Sequence, residues 1–264
     1  MHPRLLQLGH IAIPTYGALT ALCLVAALAA AVYFARRLSL DPNKVWTLCL
    51  TSILTTLVGA RLLLVLAHFS AFRQHPFWIL GLTTAHDWWI APVSVVLGIA
   101  AGALYALAEG LPLLRVADCL APAVTLAFAI NRIGAFIAGL DFGTPASVPW
   151  SITYTSRIAA LWYHTPLGIP LHPVQLYDAA ASLIALGLLV KGLSRRRQDG
   201  ELAGFVLVLF GPASSWLRPY RADQHAPILS LILDIVLVIA GAALWLDRRN
   251  KARSYTSTDD SSAP

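Results

Sequence analysis

Two arginines stand where arginine is costly. Arg61 and Arg132 both fall inside long apolar runs. A charge at such depth in a bilayer costs about 2.5–3.5 kcal/mol on insertion scales, so it faces a cavity, pairs with a partner or reaches for the interface. Arg61 lies near the outer end of its run, close enough to snorkel. Arg132 sits in Ile130-Asn131-Arg132-Ile133-Gly134, and that amide and glycine company favours a functional role for it. His86 and Asp87 are adjacent, but a metal site needs more ligands than this pair. The chain has no Gly-rich phosphate loop, no His-Glu-x-x-His and no Gly-x-Ser-x-Gly, so the chemistry those motifs carry is not expected. Cys23, Cys49 and Cys119 lie in apolar stretches and are odd in number. They read as small buried residues rather than a disulfide framework or zinc site.

The elements that must hold these groups are membrane helices. Hydrophobic residues make up 58% of the 264-residue chain and charged ones 12%. Soluble domains carry about 25% charged residues, so a disordered chain, a coiled coil and an ordinary soluble enzyme are excluded. Runs of the length that crosses a bilayer lie near Ile11–Phe34, Val45–Ala67, Ile90–Ala108, Val116–Ile137, Gln175–Val190, Leu202–Leu217 and Ile228–Leu246. The fifth and sixth are short. The first could imitate a signal peptide, but it is long and is followed at once by Arg36 and Arg37, so it reads as an anchor. No internal repeat is visible, which leaves an inverted-repeat transporter without support.

The net charge of +6 matters here through its placement and implies no nucleic-acid partner. With the N-terminus outside, Arg36, Arg37, Lys44, Arg115, Lys191, Arg195, Arg196, Arg197, Arg248, Arg249, Lys251 and Arg253 fall inside. Arg4, Arg73, Arg157, Arg218 and Arg221 fall outside. The bias satisfies the positive-inside rule. The expected fold is an all-α integral membrane protein of seven transmembrane helices, N-terminus periplasmic and C-terminus cytoplasmic. Residues 1–250 form a single polytopic domain, and 251–264 a disordered cytoplasmic tail. The outer segment from Leu140 to Leu171 contains Trp150, Tyr154, Trp162 and Tyr163 among several prolines. It reads as an aromatic interface belt or as a periplasmic cap over a lipid or peptide site.

Several segments, taken in order, resemble the prolipoprotein diacylglyceryl transferase family of the bacterial inner membrane. Met1-His2-Pro3 with Gly9, Ile11, Ile13, Tyr16 and Gly17 is similar to the family's opening. Gly59-Ala60-Arg61 is similar to its second-helix Gly-x-Arg, and Asp118, Ala121 and Pro122 to its Asp-x-x-Ala-Pro. Arg132-Ile133-Gly134-x-Phe136-Ile137-x-Gly139, followed by Gly143, resembles its signature. His172-Pro173-x-Gln175-Leu176-Tyr177-Asp178 resembles its His-Pro-x-Gln-Leu-Tyr-Glu. The chain departs from the pattern at Ala135 and Ala138, where the family has Asn, and at Leu140, where it has Glu. Pro92 falls where a family histidine is expected. The late Arg-x-x-x-Glu-x-x-Arg keeps only Arg218, beyond Gly211 and Ser215.

The resemblance implies a cofactor-free transfer of a diacylglyceryl group from phosphatidylglycerol to the lipobox cysteine thiol of a prolipoprotein signal peptide, within the lipid bilayer. Such a reaction needs a cation for the departing phosphate, to which a guanidinium fork is matched. It also needs help in deprotonating the thiol. On this reading Arg132 holds the headgroup and Arg218 is the second cation, with Arg221 its rival. Tyr16 bonds the headgroup or belongs to the interface belt. Gly139, Gly143, Arg61, His172, Gln175 and Tyr177 complete the binding site, His172 and Gln175 by bracing the cap. Asp178 pairs with an arginine. His86 is the nearest stand-in for the absent histidine. Asp141 follows Leu140 and points about 100° away on a helix, but a loop conformation would turn it inward onto Arg132. The alternatives are a divergent member that binds anionic phospholipid with altered or no transferase activity, and a small transporter or channel with buried arginines.

Overall fold

The computed structural model describes residues 3–8, 11–75, 87, 89–196, 198–222 and 227–260. His2, Gly9, His86 and Arg197, each used in the sequence reading, lie outside them. Among the described residues the protein is mainly helical, with two small strand pairs. Six helices among the described residues are long and apolar enough to cross a membrane. The chain divides into two compact units, residues 1–30 with 117–264, and residues 31–116.

In the first unit, β1 (Arg4–Leu8) and β2 (Ile11–Pro14) form an antiparallel pair, and α1 (Thr15–Arg37), whose last residues count with the second unit, follows directly. The helix expected from Ile11 therefore begins later. β-branched Ile11 and Ile13 alternate along an extended segment, and Pro14 brings no N–H to an interior helical bond. The amide of Thr15 instead donates to Pro3 O at 2.9 Å. α5 (Leu113–Ala138), α7 (Val174–Leu193), α8 (Glu201–Leu217) and α9 (Pro227–Asp260) supply the remaining long helices. α7 and α8 both exceed the short runs read from the sequence. α9 continues into the stretch expected to be a disordered tail, where extending an existing helix needs no new nucleation. α8 and α9 cross at glycines: a Cβ on Gly204 would stand 2.9 Å from Gly241 O, and one on Gly241 would stand 2.9 Å from Gly204 O. Small residues at such crossings let backbones approach closely where lipid offers no hydrophobic drive.

Asp118 fixes the start of α8 from another helix. Its carboxylate accepts from the Gly200 and Ala203 amides, each at 2.8 Å, and lies 2.8 Å from Arg196 Nε. It is completely buried. The first amides of a helix lack internal partners, and a carboxylate there also meets the positive end of the helix dipole.

In the second unit, α2 (Pro42–Ala67) begins on Asp41, whose Oδ1 accepts from the Asn43 amide at 2.8 Å. A short α3 (Phe69–Gln74) follows, and then α4 (Ile90–Ala108). α4 buries Ser94, Gly98, Gly102 and Ala106, a small residue at every fourth position. Gly98 and Gly102 meet Ser52 and Thr56 of α2 too closely to carry a side chain. Pro92 falls in the first turn of α4, where a missing N–H costs little.

A candidate anion site and its apolar cavity

The site lies wholly within the first unit. α5 carries Asn131 and Arg132 near its C-terminal end and then stops at Gly139, whose φ is +86°. The amides of Gly139 and Leu140 both donate to Ala135 O at 2.9 Å, closing the helix. Asp141 also takes a positive φ, +54°. That turn sends its carboxylate back to Arg132, with Arg132 Nη1 to Asp141 Oδ2 at 2.7 Å. This is the inward turn the sequence suggested. Arg132 lies over the Phe128 ring, 4.7 Å from its centroid, a contact that suits a guanidinium face.

Asp178 of α7 joins Arg132 to a second cation. Arg221 Nη2 donates to Asp178 Oδ2 at 2.6 Å, and the same oxygen lies 3.6 Å from Arg132 Nε. Arg132 Nε is buried and makes no hydrogen bond. Arg221 follows a 3-10 turn (Arg218–Tyr220) at the end of α8. Arg218, preferred over Arg221 in the sequence reading, is bonded to Asp234 of α9, which also accepts from Ser214 at 2.7 Å and Ser215 at 3.1 Å. It is Arg221 that the fold brings to Arg132. Asp234 carries a signal in the sequence, since a lone carboxylate in an apolar helix seeks partners.

The loop after α5 is built on close backbone approaches. The Thr144 amide donates to Tyr220 O at 2.8 Å, and Thr144 O accepts from the His172 amide at 3.0 Å. Gly143 is wedged between these two segments; a Cβ there would run into His172 O and come within 2.8 Å of Tyr220 O. The segment beyond, expected from the sequence to be a cap, contains β3 (Ile152–Thr153) paired with β4 (Pro170–Leu171), and between them α6 (Arg157–Tyr163). Gln175 braces it. Its Nε2 donates to Leu140 O at 2.7 Å and to the Tyr154 hydroxyl at 3.1 Å. Both side chains are almost entirely buried, and burial pushes the Tyr154 hydroxyl above its ordinary pKa. Thr165 donates to Gly139 O at 2.7 Å. Trp150 donates to the Tyr177 hydroxyl at 2.7 Å, which lies 3.4 Å from His172 Nδ1.

Tyr16, in the first turn of α1, accepts from Asn131 Nδ2 at 3.3 Å, one residue from Arg132. Ala135 and Ala138 are completely buried, so they add no polar group to the site. Arg61 belongs to the second unit, where it lies 5.6 Å from the Phe72 ring centroid. Tyr16, Arg132, Gly139, Gly143, His172, Gln175, Tyr177 and Arg218 all belong to the first unit.

A cavity of about 270 Å³ leads away from the ion pairs. Asp178 and Arg221 stand at its polar end, and Phe128, Ala181, Leu188 and Phe210 are among its apolar walls. From Asp178 to Leu188 along α7 is about 15 Å at the helical rise. With Arg221 in its wall and Arg132 on the same Asp178 carboxylate, such a cavity can take an amphiphile, its anion toward the arginines and its chain along α7 and α8.

These features define a polytopic membrane protein with a cluster of paired arginines and aspartates beside an apolar cavity. The chain belongs to the prolipoprotein diacylglyceryl transferase family, whose sequence model matches residues 3–246. It is similar to phosphatidylglycerol--prolipoprotein diacylglyceryl transferases of several bacteria. That of Trichormus variabilis is 26% identical over 94% of this chain and 91% of the relative. That of Clostridium tetani is 22% identical over 95% and 100%. That of Idiomarina loihiensis is 30% identical over 84% and 81%.

Proposed function

We propose that this chain transfers the diacylglyceryl group of phosphatidylglycerol to the lipobox cysteine of a prolipoprotein signal peptide, in the bacterial plasma (inner) membrane. The observation that carries the reading is the pair Arg132 and Arg221, joined through Asp178, with Asp178 and Arg221 lining an apolar cavity. In the reaction the cysteine Sγ forms a bond to the glyceryl carbon. The bond from that carbon to the phosphate oxygen breaks, and glycerol phosphate leaves, taking up the proton that the thiol gives. Arg132 and Arg221 hold the phosphate and stabilise its charge as it departs, since preorganised donors act most where charge develops. The apolar walls receive an acyl chain. Tyr16, held by Asn131, stands beside the headgroup. Arg218 and Asp234 fix the turn that carries Arg221, while Gly139, Gly143, His172, Gln175 and Tyr177 shape and brace the cap.

On this reading α9 supplies a seventh span near Ile228–Leu246. The N-terminus and the cap are periplasmic, and the C-terminus is cytoplasmic, as the distribution of Lys and Arg requires. Arg61 is a further contact to lipid.

Complementation tests the proposal. A bacterium depleted of its own transferase, supplied with this chain, should lipidate a reporter prolipoprotein, and the Arg132→Ala variant should not. A well-expressed, membrane-inserted chain that binds phosphatidylglycerol yet lipidates nothing would instead be a lipid-binding member of the family.

A further inference from the structure

The two cations of the anion seat are already engaged by carboxylates of the protein. Arg221 holds Asp178 Oδ2 at 2.6 Å, and Arg132 holds Asp141 Oδ2 at 2.7 Å. Each guanidinium thus already meets a carboxylate before a ligand arrives. Buried Arg132 Nε still has a proton to donate. A phosphodiester settling on both guanidinium groups would bring a further negative charge beside these carboxylates.

The two carboxylates differ in how they can respond. Asp141 has a side chain 31% exposed and can turn to water as an anion. The Asp178 side chain is only 7% exposed and lines the apolar cavity. An ionised carboxylate that lost its arginine there would be left without water or counter-ion, and such a group neutralises itself by taking a proton. The ionisable groups that face it are Arg132 from α5, Asp141 from the following loop and Arg221 from beyond the 3-10 turn. Arginine keeps its charge throughout the working range, and Asp141 has access to solvent. The proton therefore falls to Asp178.

We infer that Asp178 is the exchangeable counter-ion of the anion seat: a phosphodiester takes over Arg221 and Arg132, and Asp178 leaves the pair as the neutral acid, binding one proton from solvent per lipid. The inference deepens the headgroup reading and rests on it. Because the bound state carries the extra proton, affinity is highest at low pH and falls as pH rises, by up to about tenfold per pH unit for one linked proton.

Titration calorimetry on the full chain in detergent tests this, with short-chain phosphatidylglycerol as the probe and short-chain phosphatidylcholine as the control. Measurements in two buffers of different ionisation enthalpy count the protons taken up. Wild type should take up about one proton per phosphatidylglycerol and bind it more weakly as pH rises. Asp178→Asn should bind the lipid more tightly at the higher pH, with no proton uptake. Asp178→Glu, which keeps the titrating group, should retain the uptake. Free glycerol phosphate forms a separate arm. Uptake with the lipid alone supports exchange driven by the lipid headgroup, and uptake with both supports exchange driven by any phosphate anion. Equal affinity and proton count in wild type and Asp178→Asn would overturn the exchange and leave the headgroup reading standing. No phosphatidylglycerol binding by either protein at either pH would overturn both.

Discussion

Asp141 reaches back to Arg132 across nine residues of sequence, and the two side chains meet at 2.7 Å. The contact exists because Asp141 takes a left-handed φ of +54° just past the glycine that ends α5. Where the family pattern has Glu at position 140, this chain thus presents a carboxylate from the next residue, turned inward by the backbone.

Replacing that carboxylate should weaken the hold on Arg132. Hydrogen bonds to charged groups contribute about 1.5–3 kcal/mol, and the partial exposure of Asp141 places this one at the low end. Asp141→Asn should therefore lower transferase activity about tenfold. Reporter lipidation measures it, and a variant indistinguishable from wild type would show that Asp141 does not orient the arginine.

Arg132→Lys should fail nearly as badly as Arg132→Ala. An ammonium is a point charge, and it cannot meet Asp141, lie flat over Phe128 and still offer a fork to phosphate. Phosphatidylglycerol affinity should drop about ten- to a hundredfold in both variants. Lipid binding at wild-type strength in Arg132→Ala would make the residue purely structural.

Gly143→Ala should damage the outer end of the site. Its Cβ would meet backbone on both sides, His172 O and Tyr220 O, and neither belongs to a flexible side chain. Overpacking of this kind costs about 1–3 kcal/mol, and because Tyr220 leads directly to Arg221, activity should fall with it. Thermal unfolding in detergent together with reporter lipidation gives both readouts. A fully stable, active Gly143→Ala protein would contradict the packing described.

Asp118→Ala should destabilise the chain without touching the anion seat. It would strip the amides of Gly200 and Ala203 and leave Arg196 paired with Asp199. Losing a hydrogen bond to a charged group costs about 1.5–3 kcal/mol, readable as a lowered melting temperature. The phosphatidylglycerol affinity of the folded fraction should stay the same, and an unchanged melting temperature would refute the capping role.

The orientation is tested independently by reporter fusions. A fusion after Tyr154 should read periplasmic, and one at the C-terminus cytoplasmic, because the positive charges gather on one side. A periplasmic C-terminus would invert every assignment made for the cap.

The sequence by itself determined where the long helices lie and that Arg132 must face something other than lipid. Both are local facts: apolar length sets a span, and a guanidinium inside one needs a partner wherever the chain goes. The tertiary structure decided which partners those are. Arg218 and Arg221 stand three residues apart and look alike in sequence, and only the 3-10 turn after α8 sends one to Asp234 and the other to Asp178, 43 residues earlier. Asp118 read as the start of a motif, and its task appears only when Gly200, 82 residues on, is brought to it. The start of α1 shifted as well, because the pairing of β1 with β2 claimed Ile11–Pro14 for a strand. Hydropathy is summed over neighbours in the chain, whereas each of these contacts is closed by folding between residues that the sequence keeps apart.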